Sequence, residues 1–225
     1  MPDSTATPTP RRTRRKDARP AEVIEAARAL FIERGYAATK VEDVARRAGV
    51  SVGLPYLYFE NKAGLFKAVV RATLLPQVAQ GEDMLRSYAG STADLLRLVA
   101  RGFLETMHSP IGGIPKLVIA EAHAFPDIAR FYAEEVVARG RAFFAAIITR
   151  GIERGEFRPV DVPHMARVLS APLSLLCIWS HSLAPFDETT GTTPEGYIDA
   201  YLDVVLAGLA APGPTLPPPG KTEPS

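Results

Sequence analysis

The stretch Thr39–Lys62, TKVEDVARRAGVSVGLPYLYFENK, contains two short helical patterns separated by a tight turn. Gly49 supplies the left-handed backbone conformation that a sharp turn needs, because it carries no Cβ. The small side chain of Ala45 lets the two helices approach closely, and Val44 and Val50 close the small core between them. The pattern predicts a helix-turn-helix, a motif whose second helix enters the major groove of DNA.

Helical periodicity continues on both sides of this stretch. Upstream, apolar side chains within residues 23–31 form one face of a helix, and Gly35 is placed to end it. Thr39, with Glu42 three residues later, predicts a capping box at the start of the next helix. Asn61 precedes a fourth helix, so the sequence predicts four helices by about residue 70.

The remainder of the chain contains five more helical patterns and no clear alternating strand. They cover about residues 91–107, 114–124, 126–151, 162–181 and 194–209. The pattern over 162–181 is apolar almost all round, which predicts a helix buried on several sides. The sequence therefore predicts an all-α fold of about nine helices.

The two ends of the chain differ in composition from the middle. Residues 1–18 have no apolar periodicity and contain the basic run Arg11–Lys16, and residues 211–225 contain six prolines, so both ends are predicted to be disordered. Residues 1–70 hold thirteen Lys or Arg against eight Asp or Glu, whereas residues 71–225 hold thirteen against seventeen. This asymmetry predicts that only the N-terminal part meets phosphate groups.

The composition argues against several other classes of protein. No run of eighteen apolar residues occurs, so we expect no membrane association, and residues 21–31 carry too many charges for the core of a signal peptide. The single Cys177 cannot form an intrachain disulfide and fits a cytoplasmic protein. We identify no catalytic residues, no cofactor site and no metal site, because nucleophile and nucleotide motifs are missing and the four histidines are scattered.

A specific set of motifs lies within residues 20–70. It consists of Phe31, Gly35-Tyr36, Thr39-x-Val41-x-Asp43-Val44-Ala45, Ala48-Gly49-Val50-Ser51, Gly53, Tyr56-x-Tyr58-Phe59 and Asn61-Lys62-x-x-Leu65-Phe66. Through these residues the chain resembles the tetracycline-repressor family of transcriptional regulators. A second and less specific set is similar to the effector domain of one branch of that family: Val118-Ile119-Ala120-Glu121-Ala122, Phe125-Pro126 and Phe131-Tyr132.

The resemblance implies a helix-turn-helix domain over residues 19–70 and a helical effector-binding and dimerisation domain over residues 71–210. It implies a homodimer that binds a palindromic double-stranded DNA operator. A small hydrophobic or aromatic effector would release the operator, so the protein would be a repressor and not an enzyme. Two alternatives stay open. One is an architectural or cell-division factor of the same fold without an effector, and the other is an enzyme that has kept the fold.

The resemblance also implies a set of DNA contacts, which are Thr39, Ser51, Val52, Gly53, Leu54, Tyr56, Tyr58 and Lys62. Tyr56 and Lys62 would contact phosphate, and Tyr58 would contact a base edge or phosphate. In the alternative, both tyrosines belong to the core and Lys62 is a solvated cap. Positions 52 and 54 face base edges in the family, and Val52 and Leu54 would contact thymine methyl groups because they cannot hydrogen-bond to bases. The Arg-rich arm would add contacts in the minor groove.

Two further sites are implied in the C-terminal domain. The candidate effector-pocket residues lie on different predicted helices and are Phe103, Met107, His123, Phe143 and Trp179, with ordinary core packing as the alternative for each. The dimer interface is expected on the last two helices, about residues 162–182 and 195–209. The candidate interface residues share one stripe of the last helix and are Tyr197, Tyr201, Val205 and Leu209.

Overall fold

The computed structural model describes residues 14–187 and 191–211, and most of these residues are helical. The helices are α1 (Arg14–Ala38), α2 (Val41–Arg47), α3 (Leu54–Tyr58), α4 (Lys62–Thr73), α5 (Leu75–Ser87), α6 (Thr92–His108), α7 (Ile114–Glu121), α8 (Pro126–Tyr132), α9 (Ala138–Glu153), α10 (Val162–Ser180) and α11 (Pro194–Leu209). A π-helical turn, Ala133–Val137, joins α8 to α9. Short 3-10 turns lie at Pro110–Gly113 and Ala184–Phe186. The predicted all-α fold is confirmed.

The described residues divide into two compact units. Unit 1 comprises the residues up to Gln77 together with Pro110–Val136, and unit 2 comprises Val78–Ser109 together with the residues from Val137 onward. Segment 110–136 belongs with the N-terminal helices because α7 packs on α1 and α8 packs on α4. The expected domain boundary between residues 70 and 71 does not anticipate this grouping.

Unit 1 is built around a cluster of aromatic rings. The ring centroid of Tyr36 lies 5.6 Å from that of Phe31, 5.4 Å from that of Phe66 and 4.7 Å from that of Phe125. Gly35, the residue before Tyr36, has a φ of 84°, a conformation that side chains with a Cβ rarely adopt. It interrupts the helical geometry within α1, as the sequence predicts.

Unit 2 packs helices α6, α9, α10 and α11 around one apolar core. Leu95, Ile147, Leu169 and Ile198 bring one fully buried side chain from each of these helices. The ring of Phe157 lies directly against the backbone of Gly151 on α9, where an added Cβ would overlap the ring. Glycine at this position therefore permits the close approach of the segment that follows α9.

The first helices start differently from the sequence expectation. Lys40 is the N-cap residue of α2 and no side chain caps this helix, so the predicted capping box is wrong. The Thr39 hydroxyl instead donates to the carbonyl oxygen of Gly35 at 2.7 Å, because this buried side chain faces the end of α1. Helix α1 begins at Arg14, inside the arm of residues 1–18 that the sequence analysis expects to be disordered. The rest of the arm and the tail from residue 212 lie outside the described residues.

Candidate nucleic-acid interface

Helices α2 and α3 form the predicted helix-turn-helix. Gly49 has a φ of 66° in the turn between them, and the Val50 N–H donates to the carbonyl oxygen of Ala45 at 3.0 Å. Ala45 is fully buried where the two helices approach. Pro55 is buried in the first turn of α3, where a missing backbone N–H costs least. Burial of this side of α3 leaves its other side facing outward.

The outward side of the motif is apolar and aromatic. Val52 is 52% exposed and Leu57 is 77% exposed. Both tyrosines of α3 are exposed too, so the alternative that they belong to the core does not hold. Leu54 is half-buried, which makes Leu57 the leucine that α3 presents. Leu57 is missing from the predicted DNA contacts. Its exposure could have been predicted, because it lies two residues after the buried Pro55 and therefore on the opposite face of the helix.

Tyr56 combines an exposed ring with an engaged hydroxyl group. The hydroxyl donates to Oε1 of Glu42 at 3.3 Å. Burial and the Glu42 carboxylate raise the pKa of Tyr56, so the phenol remains protonated at neutral pH. A protonated phenol can donate to a phosphate oxygen, and here it would exchange its carboxylate partner for that oxygen.

Lys62 connects the start of α4 to the end of α1. Its Nζ donates to the carbonyl oxygens of Tyr36 at 2.9 Å and Ala37 at 3.1 Å, and it lies 4.4 Å from the centroid of the Tyr36 ring. Burial lowers the pKa of Lys62, while the nearby Glu121 carboxylate opposes this shift. An ammonium group has three donors, so one remains for a phosphate oxygen.

Glu121 contacts the same end of α1, and the sequence does not predict this contact. This residue ends α7, and its Oε1 accepts the Ala37 N–H at 3.2 Å. The carboxylate therefore satisfies a backbone donor in the last turn of α1. The contact joins two segments that are 84 residues apart within unit 1, which no local pattern can indicate.

The remaining predicted DNA contacts fall into two groups. Ser51 and Gly53 are exposed beside Val52 at the start of α3. Thr39 is buried, and its hydroxyl is used within the chain by the carbonyl oxygen of Gly35. The Thr39 hydroxyl is therefore not available to phosphate in this structure.

The candidate effector-pocket residues do not form one cluster. Phe103, Met107 and Phe143 pack in the core of unit 2. Trp179 is on α10 and is partly exposed. His123 is exposed and belongs to unit 1. Three of the five predicted residues thus share one apolar environment.

The expected dimer stripe on α11 mostly faces its own subunit. Val205 and Leu209 are buried in the core of unit 2, and the Tyr201 hydroxyl donates to the carbonyl oxygen of Leu169 on α10 at 2.7 Å. Buried side chains cannot cover a second subunit, so the assignment of Val205 and Leu209 to the interface is wrong. Tyr197 remains exposed at the start of the helix.

Other apolar side chains of α10 and α11 are exposed. We define the apolar face as Val168, Leu175 and Trp179 on α10 with Tyr197 and Val204 on α11, all of them exposed. Within the part of the chain that the structure describes, α10 is also long and apolar enough to span a membrane, a test that core helices of globular proteins pass as well. Only 22% of the apolar stretch of α10 is buried within the chain, whereas the sequence pattern predicts a helix buried on several sides.

A helix-turn-helix with an exposed second helix, followed by a helical unit, defines a class of DNA-binding regulators. Sequence models of two domains match the chain: bacterial regulatory proteins of the tetR family over residues 23–69, and the tetracyclin repressor-like C-terminal domain over residues 89–205. The chain therefore belongs to the tetracycline-repressor family and is a DNA-binding transcriptional regulator.

Similar proteins of known name support this assignment. The HTH-type transcriptional repressor KstR2 of Rhodococcus jostii is 27% identical over 200 residues, which cover 88% of this chain and 94% of the relative. A TetR-family transcriptional regulator structure from Mesorhizobium loti gives a TM-score of 0.70 at 26% identity, over 87% of this chain and 98% of that chain. FadR of Bacillus subtilis, solved with stearoyl-CoA, shares the fold with a TM-score of 0.65 at 19% identity, over 84% and 98% of the two chains.

Proposed function

We propose that this regulator is a repressor that binds a palindromic operator as a homodimer and leaves it when a long-chain hydrophobic effector binds. The observation that carries the proposal is the apolar face of α10 and α11, which is exposed beside a buried core. A second copy of the chain would cover this face, since a two-fold dimer presents two recognition helices to two half-sites.

The composition of the apolar face favours a stable interface between subunits. Leu175 is 60% exposed and Val204 is 75% exposed, and large obligate interfaces resemble a hydrophobic core divided between two chains. Trp179 belongs to a residue type that is enriched at the centres of interfaces. Covering these side chains removes apolar surface from water at roughly 25 cal/mol per Å².

A hydrophobic effector is supported by the environment within unit 2 and by the relatives. Phe103, Met107 and Phe143 pack in its apolar core, and a cavity that opened among such side chains would suit an apolar ligand. FadR of Bacillus subtilis, which shares the fold, was solved with stearoyl-CoA. We therefore place the effector among long-chain acyl compounds, with Phe103 and Phe143 as lining residues.

The test selects DNA duplexes from a randomised pool with the purified full chain and then titrates the bound duplex with stearoyl-CoA. The proposal expects a palindromic duplex, release of that duplex by stearoyl-CoA, and a higher melting temperature of the protein with this ligand. Coenzyme A without the acyl chain is the control and should have neither effect. Retention of the duplex at saturating stearoyl-CoA, without a thermal shift, would contradict the proposed effector class.

A further inference from the structure

We propose that Glu121 of α7 is a positioning residue for DNA binding, which holds the end of α1 so that Lys62 presents its ammonium group to phosphate. Glu121 acts through Lys62 and not by contacting the duplex. The inference rests on the expected phosphate contact of Lys62, but it needs neither the proposed dimer nor the proposed effector. It can therefore be tested on any duplex that the chain binds.

Ala37, in the last turn of α1, is held at both of its backbone groups. Its N–H donates to Oε1 of Glu121 at 3.2 Å, and its carbonyl oxygen accepts a hydrogen bond from Nζ of Lys62 at 3.1 Å. The two side chains come from different helices, α7 and α4. One residue of α1 therefore connects the carboxylate of Glu121 to the ammonium of Lys62.

This end of α1 departs from regular helical geometry. Gly35 has a φ of 84° and a ψ of 166°, which are not helical values. The Glu121 carboxylate lies next to this break, since a Cβ on Gly35 would be 3.5 Å from its Oε1. Carbonyl groups at the end of a helix have no partner within the helix and depend on side chains or water. Lys62 binds two of these carbonyl groups, so the position of its ammonium depends on what fixes residues 35–37.

The segment that carries Glu121 makes a second contact with the same part of α1. Phe125 lies between α7 and α8, and its ring centroid is 4.7 Å from that of Tyr36 at an interplanar angle of 75°. The Phe125 N–H donates to the carbonyl oxygen of Glu121 at 2.9 Å, which joins these two residues in one turn. The edge-to-face ring contact thus fixes Tyr36, and the carboxylate fixes the residue after it.

Glu121 is poorly placed for the stability of its own helix. It is the last residue of α7, and the C-terminal end of a helix carries partial negative charge that repels a carboxylate. The stability of α7 therefore does not explain an acidic residue here, whereas the hydrogen bond to Ala37 does. The carboxylate also opposes the decrease that burial causes in the pKa of Lys62, which helps to keep the ammonium charged.

A simple charge effect predicts the opposite of this proposal. DNA is a polyanion, so removing a carboxylate from the protein should strengthen DNA binding or leave it unchanged. If Glu121 positions Lys62, Glu121→Ala should instead weaken binding about tenfold, because the contact that is lost is one hydrogen bond to a charged group. Glu121→Gln keeps an acceptor oxygen for the Ala37 N–H and should bind within about twofold of the wild type.

The test measures the affinity of the full chain for the selected duplex by fluorescence anisotropy, in a double-mutant cycle with Lys62→Ala. Because Lys62→Ala leaves no ammonium to position, adding Glu121→Ala to it should change the affinity by less than about twofold. Thermal unfolding checks that each variant is folded. Glu121→Met keeps the length of the side chain without its acceptor, and it replaces Glu121→Ala if the shorter side chain impairs folding.

Glu134→Ala is the matched control for charge. Glu134 is an exposed carboxylate of the π-helical turn and belongs to the same unit as Glu121. Its removal changes the net charge of the protein by the same amount as Glu121→Ala. This control should bind the duplex no more weakly than the wild type, since it leaves the end of α1 untouched.

Four results would overturn the positioning role. They are a folded Glu121→Ala protein with wild-type affinity, an equal loss from Glu121→Ala with and without Lys62, a Glu121→Gln protein as weak as Glu121→Ala, and a Lys62→Ala protein with wild-type affinity. The second would show that the effects are independent, as for a general loss of structure. A duplex without two-fold symmetry, or one that stearoyl-CoA does not release, would contradict the proposed function and leave this comparison intact.

Discussion

At the scale of single residues, we propose that Lys62 acts both in the fold and in DNA binding. Its ammonium holds the end of α1 through two carbonyl oxygens, and a third donor could contact phosphate. We predict that Lys62→Ala weakens binding to all duplexes alike and lowers the slope of log K against log salt by about one. The melting temperature should also fall, because two carbonyl groups lose their donor.

The measurement is fluorescence anisotropy at several salt concentrations. Lys67→Ala is the control on the same helix, since its amine pairs with Asp127 at 3.7 Å, and its salt slope should equal that of the wild type. A salt slope in Lys62→Ala that equals the wild-type slope would remove Lys62 from the interface.

The carboxyl group of Glu156 leads to a prediction of how the stability of the fold depends on pH. Burial acts to raise the pKa of its carboxyl, but hydrogen bonds from Arg154 Nε at 2.5 Å and from the Thr92 N–H lower it to about 2. A carboxyl with a lowered pKa stabilises the fold above its usual value of 4.5, and this stabilisation is lost as the pH falls towards 2. Glu156→Gln should therefore lower the melting temperature at pH 7 and make a smaller difference at pH 3.

Thermal unfolding at both pH values provides the measurement, and Glu153→Gln, a change at an exposed position nearby, is the control. A difference between wild type and Glu156→Gln that grows on acidification would show that the charged carboxylate does not stabilise the start of α6.

The exposed residues of the recognition region are partly predictable from sequence. The family motifs predict that Val52 and Tyr56 contact DNA, and the structure exposes both side chains. Thr39 and Glu121 are not predictable in this way. The direction of Thr39 depends on the break at Gly35, and the role of Glu121 depends on a contact with Ala37 that is distant in sequence.

At the scale of helices, two glycines of α9 should respond oppositely to alanine. At Gly151 a Cβ would overlap the Phe157 ring, whereas at Gly140 nothing lies within 4 Å. We predict that Gly151→Ala destabilises the protein by about 1–3 kcal/mol. Gly140→Ala should be neutral or stabilise it by up to about 1 kcal/mol, because alanine favours helices.

Chemical denaturation of both variants measures these differences. A stable Gly151→Ala protein with unchanged unfolding would mean that Phe157 moves away at little cost, and the packing after α9 would then be looser than the structure indicates.

Helix existence is more predictable than helix boundaries in this chain. Asn61 and Ser91 accept backbone N–H groups at the starts of α4 and α6, as their sequence positions indicate. Helix α5 is not identified from sequence, because none of its side chains is fully buried and its apolar pattern is weak. The π-helical turn after α8 also leaves no signal, since both flanking helices keep ordinary helix-forming residues.

At the scale of the whole molecule, sequence periodicity does not distinguish a face that meets the same chain from one that meets a partner. The stripe of Val205 and Leu209 has the spacing of an interface but fills the core of unit 2. Val204, one residue earlier, is 75% exposed. Assigning such faces requires the positions of the neighbouring helices, and the local sequence of an apolar helix such as α10 does not indicate these positions.

The most direct test of the proposed dimer is sedimentation of Val204→Asp together with its binding to the selected palindromic duplex. We predict a folded monomer that loses tight binding, because an unpaired charge would be buried twice in a two-fold interface. Leu98→Asp, at an exposed leucine of α6, is the control and should remain a dimer that binds normally. A stable Val204→Asp dimer, or a confirmed monomer that binds the palindrome tightly, would contradict the proposed dimer.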